Sequence, residues 1–350
     1  MSFYRPKFRH PDLPENDLGL TEAAYEGAIS TLCAGCGHDS ISAAVVSAAW
    51  ESGIPPHKFA KLSGIGCSSK SPTYFLNQAH GFNTVHGRMP SVMTGAHVAN
   101  RDLTYIGVSG DGDTASIGMG QFAHIIRRNL NMLYLVENNG CYGLTKGQNS
   151  ATQDCGSTDK KGNPNPFESI DLVGLALQLG ATFVARSFSG DKEQLVPLMR
   201  AALAHRGFAL IDVVSPCVTF NNHSGSTKSY DFVREHRDVG VAMDYVPMEK
   251  EITVQYEPGT VEEVTLHDGS VIHLHKADSA YNAGDREAAI NTLQQYKLDD
   301  KLLTGLIYLS PNAPDFHEMI ETTEAPLNQL DERVLCPGSL ALERINESLS

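Results

Sequence analysis

No stretch of this chain stays apolar for the roughly 18 residues that a membrane-crossing helix needs. The opening segment, MSFYRPKFRH, lacks the apolar region of a secretion signal. The expectation is a soluble, cytoplasmic protein that does not enter a membrane. Basic residues are scarce, with 27 Lys and Arg against 41 Asp and Glu, a formal net charge of −14. A balance that acidic argues against nucleic acid and anionic membrane surfaces as partners. Internal repeats and low-complexity tracts are missing, which excludes a solenoid or a disordered tail protein. Cysteine is thin as well: seven in 350 residues, an odd number that does not suit a disulfide scaffold.

What is present can bury a sizeable core, since 41% of residues are hydrophobic and 19% charged. The length fits one large α/β unit with tails. Residues 1–28 are polar and proline-rich and read as an arm. The small and apolar run Ser40–Trp50 reads as a closely packing helix. Leu103–Val108 and Met132–Val136 read as short buried strands, with a helix over Gly118–Asn129 between them. That strand–helix–strand unit of about 40 residues is the mark of a parallel sheet flanked by helices. A second unit is expected at 168–216, with helices at Ile170–Leu179 and Lys192–His205 and strands at Thr182–Ala185 and Ala209–Val214. After Asp238 the character changes. Val261–His275 alternates around Asp268-Gly269, a hairpin signal, and Ala277–Tyr296 reads as a polar helix. The division is therefore an arm (1–28), an α/β domain (29–238) and a C-terminal extension (239–350) with little chemistry of its own.

The sharpest chemical feature is Gly110-Asp111-Gly112, with Asp113 next, and, after the 25 residues 113–137, Asn138-Asn139. Each half follows a predicted buried strand, so both lie at the carboxyl edge of the sheet, where α/β folds bind ligands. The glycines allow close backbone approach to a diphosphate. An Asp and an Asn on adjacent strands can hold one Mg²⁺ from two sides, the diphosphate supplying further oxygens.

A second constellation is Cys33-Ala34-Gly35-Cys36, then Cys67 in GIGCSSK, then Cys217 in SPCVTF. Four thiolates suit zinc or an iron–sulfur cluster, and spacing alone does not separate them. A third feature is cationic. Lys70 lies three residues past Cys67, and Lys146 follows the Asn138-Asn139 loop. An ammonium near a 2-oxoacid carboxylate would orient it. A zinc-stabilised binding module without catalysis is the rival of a different class.

The string GDGD…RRN…NNGCYGLTKGQ resembles the β subunit of 2-oxoacid:ferredoxin oxidoreductases, within the thiamine diphosphate enzymes. The resemblance runs from about Leu32 to Asn221. It implies Mg²⁺ ligands at Asp111, Asn139 and the main-chain carbonyl of Cys141. It implies cofactor contacts at Ile65, Gly66, Cys67, Ser68, His86, Gly112, Asp113, Gly143 and Leu144. CAGCG, GIGCSSK and SPCVTF match the family's [4Fe–4S] ligand segments, which assigns Cys33, Cys36, Cys67 and Cys217. Lys70 would contact the substrate carboxylate, and the loop with Leu144 and Lys146 would gate the site. Two departures are Ala34, where the family usually has Pro, and GQNSAT after Lys146, where it often continues GQxSPT.

The activity so implied is oxidative decarboxylation of a 2-oxoacid with coenzyme A, electrons passing through the cluster to ferredoxin. The C-terminal hairpin resembles 2-oxoglutarate-type β subunits, which points to succinyl-CoA and CO₂ as products. Pyruvate or broad 2-oxoacid use, and a non-redox thiamine decarboxylase subunit, are the alternatives. The family also implies an α subunit that carries the pyrimidine-binding module and its glutamate, giving (αβ)₂.

Overall fold

The computed structural model describes residues 13–157, 162–220, 253–265, 271–277, 281–299, 301–336 and 338–349. The 238/239 boundary and the Asp268-Gly269 turn lie outside the described residues. Eleven strands are described: β1 Phe59–Ser63, β2 His80–Asn83, β3 Thr104–Gly110, β4 Met132–Asn138, β5 Cys141–Tyr142, β6 Gln148–Asn149, β7 Phe183–Phe188, β8 Phe208–Val214, β9 Val261–Thr265, β10 Val271–Lys276 and β11 Leu302–Leu309. The main helices are α1 Gly37–Glu51, α2 Met89–Ala99, α3 Met119–Arg127, α4 Leu172–Leu179, α5 Lys192–Ala204 and α6 Arg286–Leu298.

Nine strands form one sheet in the order β2-β1-β3-β4-β8-β7-β11-β10-β9. The six from β2 to β7 run parallel. β11 joins antiparallel to β7, and the β9–β10 hairpin continues from it. The segment after residue 238 thus extends the main sheet. Its Leu303, Ile307, Ala289 and Leu293 enter the same core as Phe122 and Tyr134. The polar helix begins at Arg286 rather than Ala277, because the Asp285 side chain caps it by accepting from the Ala288 N–H.

The strand residues alternate between two cores, as the period of two requires. Met132, Tyr134 and Val136 of β4 face α2, α3 and α4, while Leu133 and Leu135 face α1 and α5. Both faces are covered, which explains the near-continuous apolar runs. From β1 the chain builds outward to β2 on one side and to β3 on the other. The carboxyl ends of β1 and β3 therefore flank the topological switch point, and the loops that follow them carry Cys67, Asp111 and Asp113.

Candidate active site at the carboxyl edge

Three loops meet at the switch point: 64–70 after β1, 84–88 after β2, and 111–117 after β3. Asp113 holds them together. Its carboxylate accepts from Ser109 Oγ (2.6 Å), the Gly87 N–H (2.7 Å), the Ile65 N–H (3.3 Å) and His86 Nδ1. Asp113 is only 2% exposed, so this buried acid is fully partnered. A carboxylate would repel a diphosphate, so its work is to fix the loops and to orient His86. Gly64 lies directly against it; a side chain at position 64 would overlap the Asp113 carboxylate. Gly112 is needed for a similar reason: a Cβ there would stand 2.5 Å from the Tyr142 ring. The Tyr142 hydroxyl in turn donates to the Gly112 carbonyl at 3.2 Å.

Asp111, 1% exposed, accepts from Thr152 Oγ1 (2.7 Å), from the Asn139 N–H (3.3 Å) and from Ser150 Oγ. These partners are neutral. Burial pushes the Asp111 carboxyl above its ordinary value, against the pull of those hydrogen bonds. A desolvated carboxylate among hydroxyls and amides is a site a divalent cation would relieve, and the oxygen donors suit Mg²⁺. Asn139 is adjacent and turns its Oδ1 to the Cys141 N–H at 3.1 Å. The preceding Asn138 has a different task. Its Nδ2 donates to Asp212, which pairs with the buried Arg186.

Past Asn139 the chain forms the β5–β6 hairpin, with Cys141 opposite Asn149. Lys146 N–H donates to the Gly143 carbonyl and closes its tip. Leu144 and Lys146 are exposed, as are Ile65 and Lys70, while Ser68 is buried and Gly66 and His86 are half-buried. Exposed apolar side chains Val85, Phe82 and Ile117 surround the same edge.

The four motif cysteines reach one corner of this edge. A Cβ at Gly143 would lie 3.4 Å from Cys67 Sγ and 3.6 Å from Cys217 Sγ. Thr219 Oγ1 approaches Cys33 Sγ at 3.6 Å. The Cys36 sulfur accepts from the His38 N–H, and that of Cys217 from the Thr219 and Phe220 N–H groups. Burial raises the Cys67 thiol to about 11 and Cys36 further. Cys217 is lowered to about 7, chiefly because the Cys141 thiol donates a hydrogen bond to it. Among the described residues no three His, Cys, Asp or Glu side chains already surround one metal position. The chemistry of the donor set, four sulfurs with N–H groups directed at two of them, nonetheless fits an iron–sulfur cluster. Cys155 and Cys336 are exposed and do not share this corner by any described contact.

Sequence reasoning passed over the residues beneath the thiols. Glu137, the last residue before Asn138-Asn139, is 1% exposed and accepts from Ser71 Oγ at 2.9 Å. His38 Nδ1 is 2.7 Å from Ser215 Oγ and 3.7 Å from Glu137 Oε2. Burial raises Glu137 well above the usual carboxyl range and lowers His38 to about 4, so the pair rests as neutral groups. An acidic residue ending an otherwise apolar strand is the signal that would have found it.

The family model described as "Thiamine pyrophosphate enzyme, C-terminal TPP binding domain" matches residues 64–213, the stretch that holds the Asp113 and Asp111 loops. The β subunit of a 2-oxoacid:ferredoxin oxidoreductase from Saccharolobus solfataricus is 42% identical over 191 residues, 54% of this chain and 63% of that protein. A Sulfolobus β subunit is 40% identical over 201 residues, 66% of its length. The chain thus spans just under two thirds of these relatives. The 2-oxoglutarate synthase subunit KorB of Methanocaldococcus jannaschii is 38% identical, with 69% of its length covered. Among solved structures, a 2-oxoglutarate:ferredoxin oxidoreductase from Magnetococcus marinus, with 2-oxoglutarate, coenzyme A and succinyl-CoA bound, matches with a TM-score of 0.71. It shares 30% identity and covers 92% of this chain and 96% of that one. Sheet order, the loops at the switch point and these likenesses agree, and the chain belongs to the β-subunit family of the 2-oxoacid:ferredoxin oxidoreductases, with its thiamine diphosphate-binding domain.

Proposed function

We propose that this chain is the β subunit of a 2-oxoglutarate:ferredoxin oxidoreductase, which converts 2-oxoglutarate and coenzyme A to succinyl-CoA and CO₂ and can run in reverse. One observation carries the reading. The segment Ile65–Lys70 touches the Asp113 hub at one end and places Cys67 beside Cys217 at the other. A cofactor bound by the loops around that hub would therefore lie next to a redox centre held by the thiols. Relatives named for 2-oxoglutarate, and the solved 2-oxoglutarate enzyme, support the choice of substrate.

Bound thiamine diphosphate supplies the carbon nucleophile and electron sink of the decarboxylation. The chain's residues position and shield it. Asp111, Asn139 and the Cys141 carbonyl would hold Mg²⁺ on the diphosphate. His86 is fixed through Nδ1 by Asp113, which leaves Nε2 for a ligand. Cys33, Cys36, Cys67 and Cys217 would ligate one [4Fe–4S] cluster. Lys70 would meet the substrate carboxylate, and Leu144 and Lys146 on the hairpin tip would close over it. The exposed Ile65, Val85 and Leu144 are the surface an α subunit would cover, completing an αβ unit that pairs again as (αβ)₂. The unpaired cysteines and the absence, among the described residues, of a helix able to cross a membrane accord with a reducing, cytoplasmic setting.

The test is anaerobic purification of the chain with its α partner, followed by iron, sulfide and thiamine diphosphate analysis. Coenzyme A-dependent reduction of ferredoxin is then compared for 2-oxoglutarate and pyruvate. Four irons per chain and a preference for 2-oxoglutarate are expected. Thiamine without iron would instead indicate a non-redox decarboxylase, and zinc without thiamine a binding module.

A further inference from the structure

The two oxygens of the Asp111 carboxylate are unequally engaged. Oδ2 accepts from the Ser150 hydroxyl and from the Thr152 hydroxyl, the latter at 2.7 Å, whereas the described contact of Oδ1 is the longer one to the Asn139 N–H, at 3.3 Å. Behind Thr152 a line of contacts crosses three strands. Thr152 Oγ1 lies 3.1 Å from Asn138 Oδ1, and Asn138 Nδ2 donates to Asp212 Oδ1 at 3.0 Å. Arg186 Nε donates to Asp212 Oδ2 at 3.2 Å, and its Nη2 pairs with Asp171, the cap of α4. The register sets these groups in line. Arg186 of β7 pairs with Asp212 of β8, and Asp212 pairs with Val136, two residues before Asn138 on β4 and so on the same face.

The donors and acceptors fix the hydrogens. The Asp212 carboxylate only accepts, so the Asn138 amide turns its NH₂ to it and its oxygen to Thr152. The Thr152 hydroxyl has one proton, which Asp111 Oδ2 and Asn138 Oδ1 share as a three-centre bond, the nearer, charged acceptor taking the larger part. The far end of the line is rigid, since Arg186 and Asp212 are 6% and 2% exposed. The segment that carries the hydroxyls is pinned as well. The Ala151 N–H donates to Ser116 Oγ at 3.1 Å, a bond that a proline at this position would lack, and the Ala151 carbonyl accepts from the Ile170 N–H at 2.8 Å.

We propose that Thr152 is a positioning residue for the divalent cation, and that Asn138, anchored on the Asp212–Arg186 pair, holds Thr152 to that task. Resting on the Mg²⁺ reading above, the relay engages Oδ2 of Asp111 and leaves Oδ1 for the ion. A ligand carboxylate already held by outer partners needs less ordering when the ion arrives, and loss of such a partner typically costs roughly 10–100-fold in metal affinity. Asn138 and Asn139 thus divide the work, the first bracing the site from behind and the second facing the ion.

The experiment strips the αβ complex of cofactor and titrates it with MgCl₂ calorimetrically in the presence of thiamine diphosphate. Thr152→Val keeps the shape and loses the proton, and should weaken the apparent Mg²⁺ affinity about 10- to 100-fold. Thr152→Ser keeps the hydroxyl and should restore most of it. Asn138→Leu should show a smaller loss, and Asn138→Ala is measured beside it so that neither bulk nor a cavity decides the result. Either change at Asn138 made on top of Thr152→Val should add nothing, because its path to the ion runs through the hydroxyl. Parent-like affinity in Thr152→Val overturns the proposal, as does a Thr152→Ser variant no better than Thr152→Val. Additive losses in the double variants would put Asn138 on the ion directly and overturn the relay. Asp111→Ala keeps the two levels apart. If it binds Mg²⁺ like the parent, the ligand reading falls and the relay with it; if it loses Mg²⁺ while Thr152→Val does not, the relay alone falls.

Discussion

Ser71 donates a hydrogen bond to Glu137 at 2.9 Å, joining the loop after β1 to the last turn of β4 across 66 residues of sequence. The bond stands beneath the cysteine corner. His38, two residues after Cys36, comes within 3.7 Å of the same carboxyl and binds Ser215, two residues before Cys217. Three of the segments that carry the thiols are thus tied to one buried acid, and the tie is made of neutral groups.

Glu137→Ala is expected to destabilise the chain by about 1–3 kcal/mol, because it leaves the buried Ser71 hydroxyl unpartnered. Glu137→Gln keeps an acceptor for Ser71 and the side-chain volume, and should cost less than half as much. Urea denaturation of both variants reads the difference. Equal losses would mean that volume, not the hydrogen bond, matters at this position.

Asp111→Ala and Asn139→Ala should each lose Mg²⁺-dependent thiamine diphosphate while iron is retained, since each removes an oxygen donor from a cation that tolerates poor geometry badly. The two halves of the site stand on different elements: Asp111 follows β3, and the cysteines come from the 33–36, 67 and 217 segments. Calorimetric titration with the cofactor, set beside iron analysis, separates these effects. Normal cofactor binding in both variants would refute the Mg²⁺ roles.

The same separation of elements explains what the sequence made legible. Strands β3, β4, β7 and β8 announce themselves because both faces are buried and their apolar runs are nearly unbroken. β1 escapes notice because Lys61 interrupts it. That lysine is nonetheless 9% exposed, and its ammonium donates to the Pro72 and Phe75 carbonyls at 2.6 Å each. β2 is exposed along its whole length and shows no apolar pattern. β11 is an apolar run that the sequence reading left unassigned, and nothing local says that it pairs back onto β7. In the site, Asp111, Asn139 and the cysteines could be named from short motifs. The Glu137, His38, Ser71 and Ser215 cluster could not, since its bonds join residues 66 and 177 positions apart.

Lys70→Ala should raise the Michaelis constant for the 2-oxoacid roughly ten- to a hundred-fold, the equivalent of about 1.5–3 kcal/mol for one charge-assisted hydrogen bond. Lys70 is exposed at the edge and close enough to Cys67 to favour its thiolate, and its side chain makes no described hydrogen bond or ion pair among the described residues. Cofactor content should therefore stay constant. Steady-state kinetics of the αβ complex read the change, and an unaltered profile for the variant would remove Lys70 from the substrate site.

The last expectation concerns pH and lies at the far end of α2. His97 Nδ1 meets His317 Nε2 at 2.5 Å, with both rings buried and their centroids 4.7 Å apart. This contact docks the helical turn Phe316–Met319 against the domain, next to the Arg206–Asp315 ion pair. The shared hydrogen bond needs at least one neutral ring. Burial, then the neighbouring His317, lowers His97 to about 4; burial, then Arg101, lowers His317, and Asp315 opposes the shift in both. The unfolded chain would protonate both rings near pH 6.5. As pH falls from about 6.5 toward 4, the unfolded state binds protons that the folded state refuses, so stability must decline over that window. Above about 6.5 both states are neutral and these groups add no slope. Thermal melting followed from pH 8 to pH 4.5 should show the decline, and His97→Phe, which keeps a buried ring without a titrating nitrogen, should flatten it. If His97→Phe falls as steeply as the parent chain, the acid sensitivity belongs elsewhere, and the imidazole pair is only packing.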